Sequence, residues 1–303
     1  MGLLYFFQQI RNPILNEIML LITKFGEETA FLVVALVVFW CVDKHKGYYI
    51  LSVGFIGTIV NQFLKLWFRV PRPWVKDENF TILEEAREAA SGYSFPSGHS
   101  QNAVGTFGGI AYVTKNKIIR ILAIAVAVLV PISRMYIGVH TPQDVIVGAI
   151  ISAALIFVMK PLVIDKDGKC LPWVLGFMTV LAAGYLFFVE FFPFPADVDA
   201  ENLASGIKNA YTLLGSLVGF VIVYIVDKKW LNFNTQAVWW AQLLKLLIGL
   251  ALVLAVKSGL KVPLNAVFGE SVGRAVRYFL LVIVAGCAWP ISFKWFAKLG
   301  NRE

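Results

Sequence analysis

The chain consists mainly of apolar blocks of about twenty residues, and its charged residues collect between them. A helix of that length can cross a hydrocarbon core of about 30 Å, where every backbone polar group needs a partner inside the protein. Hydrophobic residues occupy 58% of the 303 positions and charged residues only 15%, whereas a soluble domain has roughly 25% charged residues. We therefore predict an all-α fold, a polytopic transmembrane helical bundle.

Eight to nine membrane spans are expected, with nine as the working count. The first candidate is short and needs either residues on its N-terminal side or a locally thinned bilayer. The candidates are residues 30–42, 48–68, 96–113, 118–137, 142–164, 171–192, 210–226, 237–256 and 276–296.

The N-terminal segment, residues 2–24, is apolar but carries Arg11, Asn12, Asn16 and Glu17 in its middle. These polar residues suit neither a signal peptide nor a spanning helix. We predict an amphipathic helix that lies at the membrane interface.

The net charge of +8 is compatible with nucleic-acid binding, but the basic residues lie mainly at the ends of apolar blocks. We expect no nucleic-acid partner and take the charge as a topology signal. Most basic residues fall on one side of the predicted spans, which the positive-inside tendency makes cytoplasmic. The long connections, residues 70–95 and 193–208, then lie on the extracytoplasmic side.

Three short clusters contain the residues typical of phosphate chemistry. The first ends the span at residues 48–68 and holds Lys65, Arg69 and Arg72 around a Pro-Arg-Pro turn. A planar Arg fork and a Lys point charge suit phosphate oxygens, although basic residues also snorkel toward lipid headgroups.

The second cluster, Phe-Pro-Ser-Gly-His at residues 95–99, lies where a polar loop becomes the next predicted span. A proline suits the first helical position, and the unpartnered N–H groups of a first turn can hold phosphate. Gly98 allows close approach, Ser97 adds a hydroxyl, and His99 can supply a proton. The alternative is a capped helix start with an incidental histidine.

The third cluster runs from Ser133 and Arg134 to His140, Thr141 and Asp144. Thr141 and the proline after it predict a helix start, which places His140 just before the helix and Asp144 in its first turn. The Asp144 carboxylate either orients the ring of His140 for attack on phosphorus or only completes a capping box with Thr141.

The predicted spans bring all three clusters to one membrane face, and these clusters hold two of the three histidines. The third, His45, lies on the opposite face and receives no role. The connection over residues 74–94 is polar and acidic, with a short helix predicted at residues 82–89; it is either a solvated loop or a lid over the site.

The clusters resemble the three signatures of the type 2 phosphatidic acid phosphatase superfamily, without a departure at any position. Lysine, six residues and Arg-Pro is similar to residues 65–73; Pro-Ser-Gly-His matches residues 96–99. Ser-Arg, five residues, His, three residues and Asp matches residues 133–144. The resemblance covers roughly residues 48–164.

This resemblance implies a role for each matched residue. His140 attacks phosphorus and forms a phosphohistidine, Asp144 orients it, and His99 protonates the leaving oxygen and later activates water. No metal or other cofactor is implied, and the three cysteines, at positions 41, 170 and 287, have no metal-ligand spacing. The implied phosphate-binding residues are Lys65, Arg72, Ser97, Gly98 and Arg134.

Two domains are predicted: the phosphatase core with its N-terminal helix, residues 1–165, and further transmembrane helices of unknown role, residues 166–303. The expected substrate is a lipid phosphate in the bilayer, with undecaprenyl diphosphate, phosphatidic acid, phosphatidylglycerophosphate and sphingoid phosphates as candidates. A lipid phosphotransferase and a non-catalytic phospholipid binder or transporter remain alternatives, and the sequence leaves the oligomeric state open.

Overall fold

The computed structural model describes residues 1–87, 90, 92–165 and 168–299. Every regular element within these ranges is helical, which confirms the predicted fold class. The α-helices are α1 Gly2–Gln9, α2 Pro13–Thr23, α3 Glu28–Val37, α4 Lys44–Phe68, α5 Pro73–Lys76, α6 Gly98–Ala103, α7 Gly109–Val113, α8 Lys117–Tyr136, α9 Pro142–Lys160, α10 Leu171–Phe191, α11 Ala200–Val226, α12 Trp239–Gly259, α13 Lys261–Ile283 and α14 Phe293–Phe296.

Several of these helices continue through short π-helical stretches. One such stretch joins α6 to α7, and the others extend the C-terminal ends of longer helices. They are Val38–Val42, Val104–Gly108, Pro161–Asp165, Asp227–Leu231 and Val284–Ala288.

Among the described residues, seven helices are long and apolar enough to cross a membrane. A pair bent by 58°, Pro13–Gly26 and Glu28–Val42, raises the number to as many as eight, the lower end of the expected range. The working count of nine also included residues 96–113. There α6, the π-helical stretch and α7 are together too short to cross about 30 Å at about 1.5 Å per residue.

The N-terminal segment differs from the single helix predicted over residues 2–24. It forms α1 and α2, because Asn12 caps a new helix through its Oδ1, which accepts a hydrogen bond from Leu15 N at 3.0 Å, and Pro13 follows as the first helical residue. Both helices pack against α8.

The chain divides into two compact units. Unit 1 comprises residues 1–34, 53–160 and 194–206, and within it α6 packs against α8 and α9. Unit 2 comprises residues 35–52, 161–193 and 207–303, and within it α12 packs against α13 and α14.

A tight link between α8 and α9 is the feature of unit 1 that positions the third cluster. Helix α8 ends at Tyr136, and Gly138 takes a φ of 90°, a conformation that favours glycine. Helix α9 begins at Pro142. His140 is therefore held in a short connection between two packed helices.

The loop over residues 74–94 is not simply solvated in its described part. Phe80, Ile82 and Ala86 are buried, and Phe80 and Ile82 pack with Leu4 of α1. In place of the helix predicted at residues 82–89 there is a 3₁₀ turn, Glu84–Ala86; residues 88 and 89 lie outside the described residues.

Candidate active site

The first and third clusters meet at His140, which is buried. Its Nε2 lies 2.9 Å from Nη1 of Arg72. The same Arg72 nitrogen donates to the carbonyl of Val139 at 2.9 Å, and Arg72 Nε donates to Gly92 O at 3.0 Å. The guanidinium is thus fixed beside one ring nitrogen of His140.

The other ring nitrogen of His140 faces Asp144. His140 Nδ1 lies 3.5 Å from Asp144 Oδ2, which also accepts hydrogen bonds from Ser94 Oγ at 2.6 Å and from Thr141 N at 2.8 Å. In return, Asp144 N donates to Thr141 Oγ1 at 3.3 Å, which completes a capping box. The geometry is therefore compatible with both interpretations of Asp144, as a helix cap and as a partner of His140. The same carboxylate oxygen caps α9 and faces the imidazole.

The loop segment at residues 92–94 contacts two of the three basic residues of the first cluster and was not anticipated from the sequence. Tyr93 O accepts a hydrogen bond from Lys65 Nζ, in addition to the Gly92 carbonyl that binds Arg72. Both cations are bound by backbone carbonyls, and the amino-acid type of a residue does not indicate what its carbonyl binds. Arg69, the remaining cation of the cluster, donates instead to Leu66 O at the end of its own helix.

Arg134 is almost fully enclosed, with 1% of its surface exposed. Its Nη1 donates to Thr23 Oγ1 at 2.8 Å, whereas Nε and Nη2 are buried without a hydrogen-bond partner in the part of the chain that the structure describes. Buried guanidinium N–H groups without a partner are costly, and an anion would satisfy them. Thr23 of α2 is a second neighbour that no motif predicted.

Hydrogen bonds to its backbone fix the second cluster to the third cluster and to α4. Ser97 N donates to Asp144 O at 2.9 Å, and Asn61 of α4 donates through Nδ2 to Pro96 O at 3.3 Å. Ser97 Oγ accepts from Ser100 N at 3.3 Å and so caps α6, which begins at Gly98 and not at Pro96, where the sequence placed the first helical residue. A Cβ on Gly98 would have its nearest neighbour, Asn61 Oδ1, at 3.6 Å, so the protein itself leaves room there.

His99 occupies the first turn of α6. Its Nε2 is buried and has no hydrogen-bond partner among the described residues. Gly26 approaches it closely: a Cβ on Gly26 would lie 2.9 Å from His99 O. The backbone of His99 is therefore packed against Gly26, and its ring keeps one polar atom without a described partner.

The surroundings of His140 favour its neutral form. Its pKa lies well below the usual value, first because burial disfavours the imidazolium and then because Arg72 and Arg134 repel a second positive charge. A neutral ring that accepts the Arg72 N–H at Nε2 carries its proton on Nδ1, toward Asp144. The lone pair of Nε2 then faces Arg72, a group that binds phosphate oxygens well.

Positive charge at the site comes from Lys65, Arg72 and Arg134. No group of three His, Cys, Asp or Glu side chains suited to a metal ion occurs in the described ranges. The arrangement suits the binding of a phosphoryl group by cations and its attack by an imidazole.

Comparison with known proteins agrees with this chemistry. A family model described as the PAP2 superfamily matches residues 46–167. Phosphatidylglycerophosphatase B of Bacillus subtilis is 35% identical over 164 residues, which cover 50% of this chain and 76% of that protein. The chain belongs to the PAP2 superfamily.

Membership of the PAP2 superfamily extends beyond the site. A second model, the transmembrane extension of PAP2 superfamily phosphatases, matches residues 211–302. The chain is therefore an integral membrane phosphatase, and the resemblance to the type 2 phosphatidic acid phosphatases is confirmed.

Two further PAP2 relatives were found. The undecaprenyl-diphosphatase of Sulfolobus acidocaldarius is 33% identical over 144 residues, covering 47% of this chain and 68% of that protein. A crystal structure of a transmembrane PAP2 type phosphatidylglycerolphosphate phosphatase from Bacillus subtilis is 33% identical; the match covers 55% of this chain and 85% of that one, with a TM-score of 0.46.

Proposed function

We propose that this protein hydrolyses a phosphate monoester or a diphosphate on a membrane lipid, through a phosphohistidine on His140 and without a metal ion. One observation carries the proposal: the buried ring of His140 lies between a cation at 2.9 Å from Nε2 and a carboxylate oxygen at 3.5 Å from Nδ1. This arrangement orients the ring and gives the nucleophilic nitrogen a phosphate-binding partner.

In the first step, Nε2 of His140 attacks the phosphorus atom and a P–N bond forms. The bond from phosphorus to the lipid oxygen breaks, and His99 gives that oxygen its proton. The dephosphorylated lipid leaves while the phosphoryl group stays on His140. Asp144 stabilises the Nδ1–H of the ring as positive charge develops on it.

In the second step, His99, now neutral, takes a proton from water as the water attacks the phosphohistidine. The P–N bond breaks, inorganic phosphate leaves, and both histidines return to their starting states. Over the whole cycle one water is consumed, and the lipid keeps the oxygen that joined it to phosphorus.

The three buried cations stabilise the charge on the equatorial phosphoryl oxygens. Arg134 offers two nitrogen atoms without described partners, whereas Lys65 and Arg72 have to exchange loop carbonyls for phosphate oxygens. Ser97 and the backbone at Gly98 are proposed to complete the cradle at the start of α6. These groups supply the positive charge that a metal ion would otherwise provide.

A lipid substrate is supported by the membrane setting and by the named relatives. A headgroup can rest at a site that ends spanning helices while its acyl or prenyl chain stays in the bilayer. Phosphatidylglycerophosphate and undecaprenyl diphosphate, which the names of the relatives indicate, are the first substrates to test. We place the site on the extracytoplasmic face, following the distribution of basic residues.

The test is release of inorganic phosphate by the purified full-length protein in detergent with excess EDTA, across these two lipids, phosphatidic acid and a sphingoid phosphate. His140→Ala should lower the rate by roughly a thousandfold or more, since it removes the nucleophile. His45→Ala, the matched histidine control outside the three clusters, should keep the wild-type rate.

Three other outcomes of this experiment would contradict parts of the proposal. Loss of activity with EDTA and its recovery with a divalent ion would contradict the metal-free mechanism. Transfer of the labelled phosphate to a second lipid, instead of to solution, would favour the phosphotransferase. Near-normal release by His140→Ala would remove the nucleophile assignment.

A further inference from the structure

Unit 2 contains a buried arginine that the proposed chemistry does not use. Arg277 lies on α13 within the transmembrane extension, and only 5% of its surface is exposed. Its Nε is buried and has no hydrogen-bond partner in the part of the chain that the structure describes. Its guanidinium lies over the ring of Tyr278, whose centroid is 5.5 Å from Arg277 Cζ.

A guanidinium in this setting needs an anion. Removing a charge from water costs several kcal/mol unless it is paired, and a cation–π contact contributes roughly 0.5–2 kcal/mol. No carboxylate in the described ranges forms an ion pair with Arg277. Ionisable residues inside transmembrane segments typically mark a binding site for a charged ligand.

The neighbouring charges point to the same sign of ligand. Arg274, one turn earlier, has a buried Nε without a described partner and lies 3.7 Å from Glu270. Glu270 also pairs with Lys208 at 3.4 Å. Glu270 is thus paired with two other cations and forms no ion pair with Arg277.

The first part of α13 folds back over the helical turn that precedes Arg277. Gly269 takes φ 76° and ψ 172°, so residues 261–268 do not continue the axis of the helix that starts at Glu270. They lie over Gly273, one turn before Arg277: a Cβ on Gly273 would be 2.7 Å from Leu264 O and 2.9 Å from Asn265 Oδ1. That Asn265 oxygen is itself buried without a described partner.

The depth of Arg277 suits a lipid headgroup. Seven residues separate it from Glu270, a rise of about 10 Å at about 1.5 Å per residue. Helical side chains tilt toward the helix N-terminus, so the long arginine side chain reaches back toward the membrane surface. Phosphate groups of the nearest leaflet lie in that region, and a planar guanidinium binds phosphate oxygens through two parallel hydrogen bonds.

We propose that Arg277 binds the phosphate of an anionic phospholipid at a second site, formed within unit 2 and separate from the residues around His140. The lipid is a bound partner there and not a substrate. The proposal goes beyond the phosphatase reaction, because it requires no step at His140.

Thermal unfolding of the full-length protein in lipid-free detergent tests this site. The probe is dioleoyl phosphatidylglycerol, a phosphodiester that offers neither a monoester nor a diphosphate for hydrolysis. The wild-type Tm should rise as the lipid is added. In Arg277→Met the half-maximal rise should need at least roughly tenfold more lipid, since a hydrogen bond to a charged group contributes that order of affinity.

Two controls separate binding from folding. Lys257→Gln removes an exposed cation in the last turn of α12 and should respond to the lipid as the wild type does. Without lipid, Arg277→Met should melt at the wild-type temperature or above it, because a buried unpaired charge is replaced by an apolar chain.

Several results would overturn the proposal. An equal lipid response of the wild type and Arg277→Met would exclude Arg277 as a ligand. The same loss of Tm in Arg277→Met with and without lipid would show a purely structural role. A rise of the wild-type Tm with inorganic phosphate that Arg277→Met loses to the same degree as the rise with lipid would overturn the lipid as the source of the bound phosphate.

Discussion

At the scale of single residues, one carboxylate oxygen joins helix capping to the chemistry of the site. Asp144 Oδ2 accepts from Ser94 Oγ and Thr141 N and also faces His140 Nδ1. The hydrogen bonds that fix the start of α9 therefore also fix the carboxylate that lies beside the proposed nucleophile.

Burial and the cations around His140 determine the pH at which its ring becomes protonated. Because burial and repulsion by Arg72 and Arg134 lower its pKa, the neutral ring should persist below the usual histidine range and be lost as pH falls through the lowered value. Arg134→Gln removes one repelling charge, so the His140 pKa should rise and the acid limb of kcat/KM should move to higher pH.

That shift is measured by comparing the pH profiles of wild type and Arg134→Gln on one substrate, so that ionisation of the phosphate cancels. The pH at which kcat/KM falls on the acid side is the quantity to compare, since the variant will also be slower at every pH. An unmoved limb, or one moved to lower pH, would show that Arg134 does not act on His140.

The sequence identified the residues with chemically distinctive side chains and missed their supports. His140, Asp144 and Arg72 are brought together as the spacing predicted. Ser94 and Thr23 were not anticipated, since a single hydroxyl without fixed spacing resembles any other loop or helix residue. Only the fold shows which hydroxyl reaches a buried charge.

At the scale of elements, a close approach of α9 to the second cluster holds the site together. A Cβ on Gly148 would lie 2.6 Å from Ser97 O, which is a backbone atom and cannot rotate away. Gly148→Ala should therefore displace the start of α6, cost about 1–3 kcal/mol of stability and lower kcat/KM.

Gly176 provides the matched control, since nothing lies within 4 Å of a Cβ at that position of α10. Gly176→Ala should keep full activity and gain about 1 kcal/mol from helix propensity. Thermal unfolding and phosphate release measured for both variants check the prediction. Equal behaviour of the two alanine variants would mean that the contact of Gly148 with Ser97 is unimportant.

Element boundaries were predictable where capping residues mark them. Residues 118–137 and 142–164 were expected to be helical, and α8 and α9 cover Lys117–Tyr136 and Pro142–Lys160. Asn116 caps α8, and a proline opens α9. The fold-back at Gly269 was not predicted, because one glycine with positive φ inside an amphipathic stretch does not change its periodicity.

At the scale of the whole molecule, the sequence revealed a membrane protein but not the grouping of its segments. Residues 194–206 belong to unit 1 although they follow α10, and residues 35–52 belong to unit 2. A segment can pack in a different unit from its neighbours along the chain because of tertiary contacts. These contacts cannot be predicted from the local sequence pattern. The division into domains at residues 1–165 and 166–303 stays a prediction.

The orientation in the membrane is tested by cysteine labelling of intact cells, in a variant without the native cysteines. Glu78→Cys, exposed in the loop of the site, should react with an impermeant maleimide from outside. Lys115→Cys, exposed before α8, should react only after permeabilisation. The reverse pattern would place the active site on the cytoplasmic face.

The central claim is the covalent phosphohistidine, and trapping it is the most direct test. The purified protein is mixed with a lipid diphosphate carrying ³²P on the terminal phosphate, then quenched in alkaline detergent, because phosphohistidine survives alkali. A diphosphate substrate reduces the need for an acid at the leaving group, so His99→Asn should form the intermediate and lose it slowly.

We predict that His99→Asn accumulates label on the peptide that contains His140, that His140→Asn carries none, and that His45→Asn behaves as the wild type. Label that persists in His140→Asn, or a phosphatase that turns over with no label in His99→Asn, would contradict the mechanism.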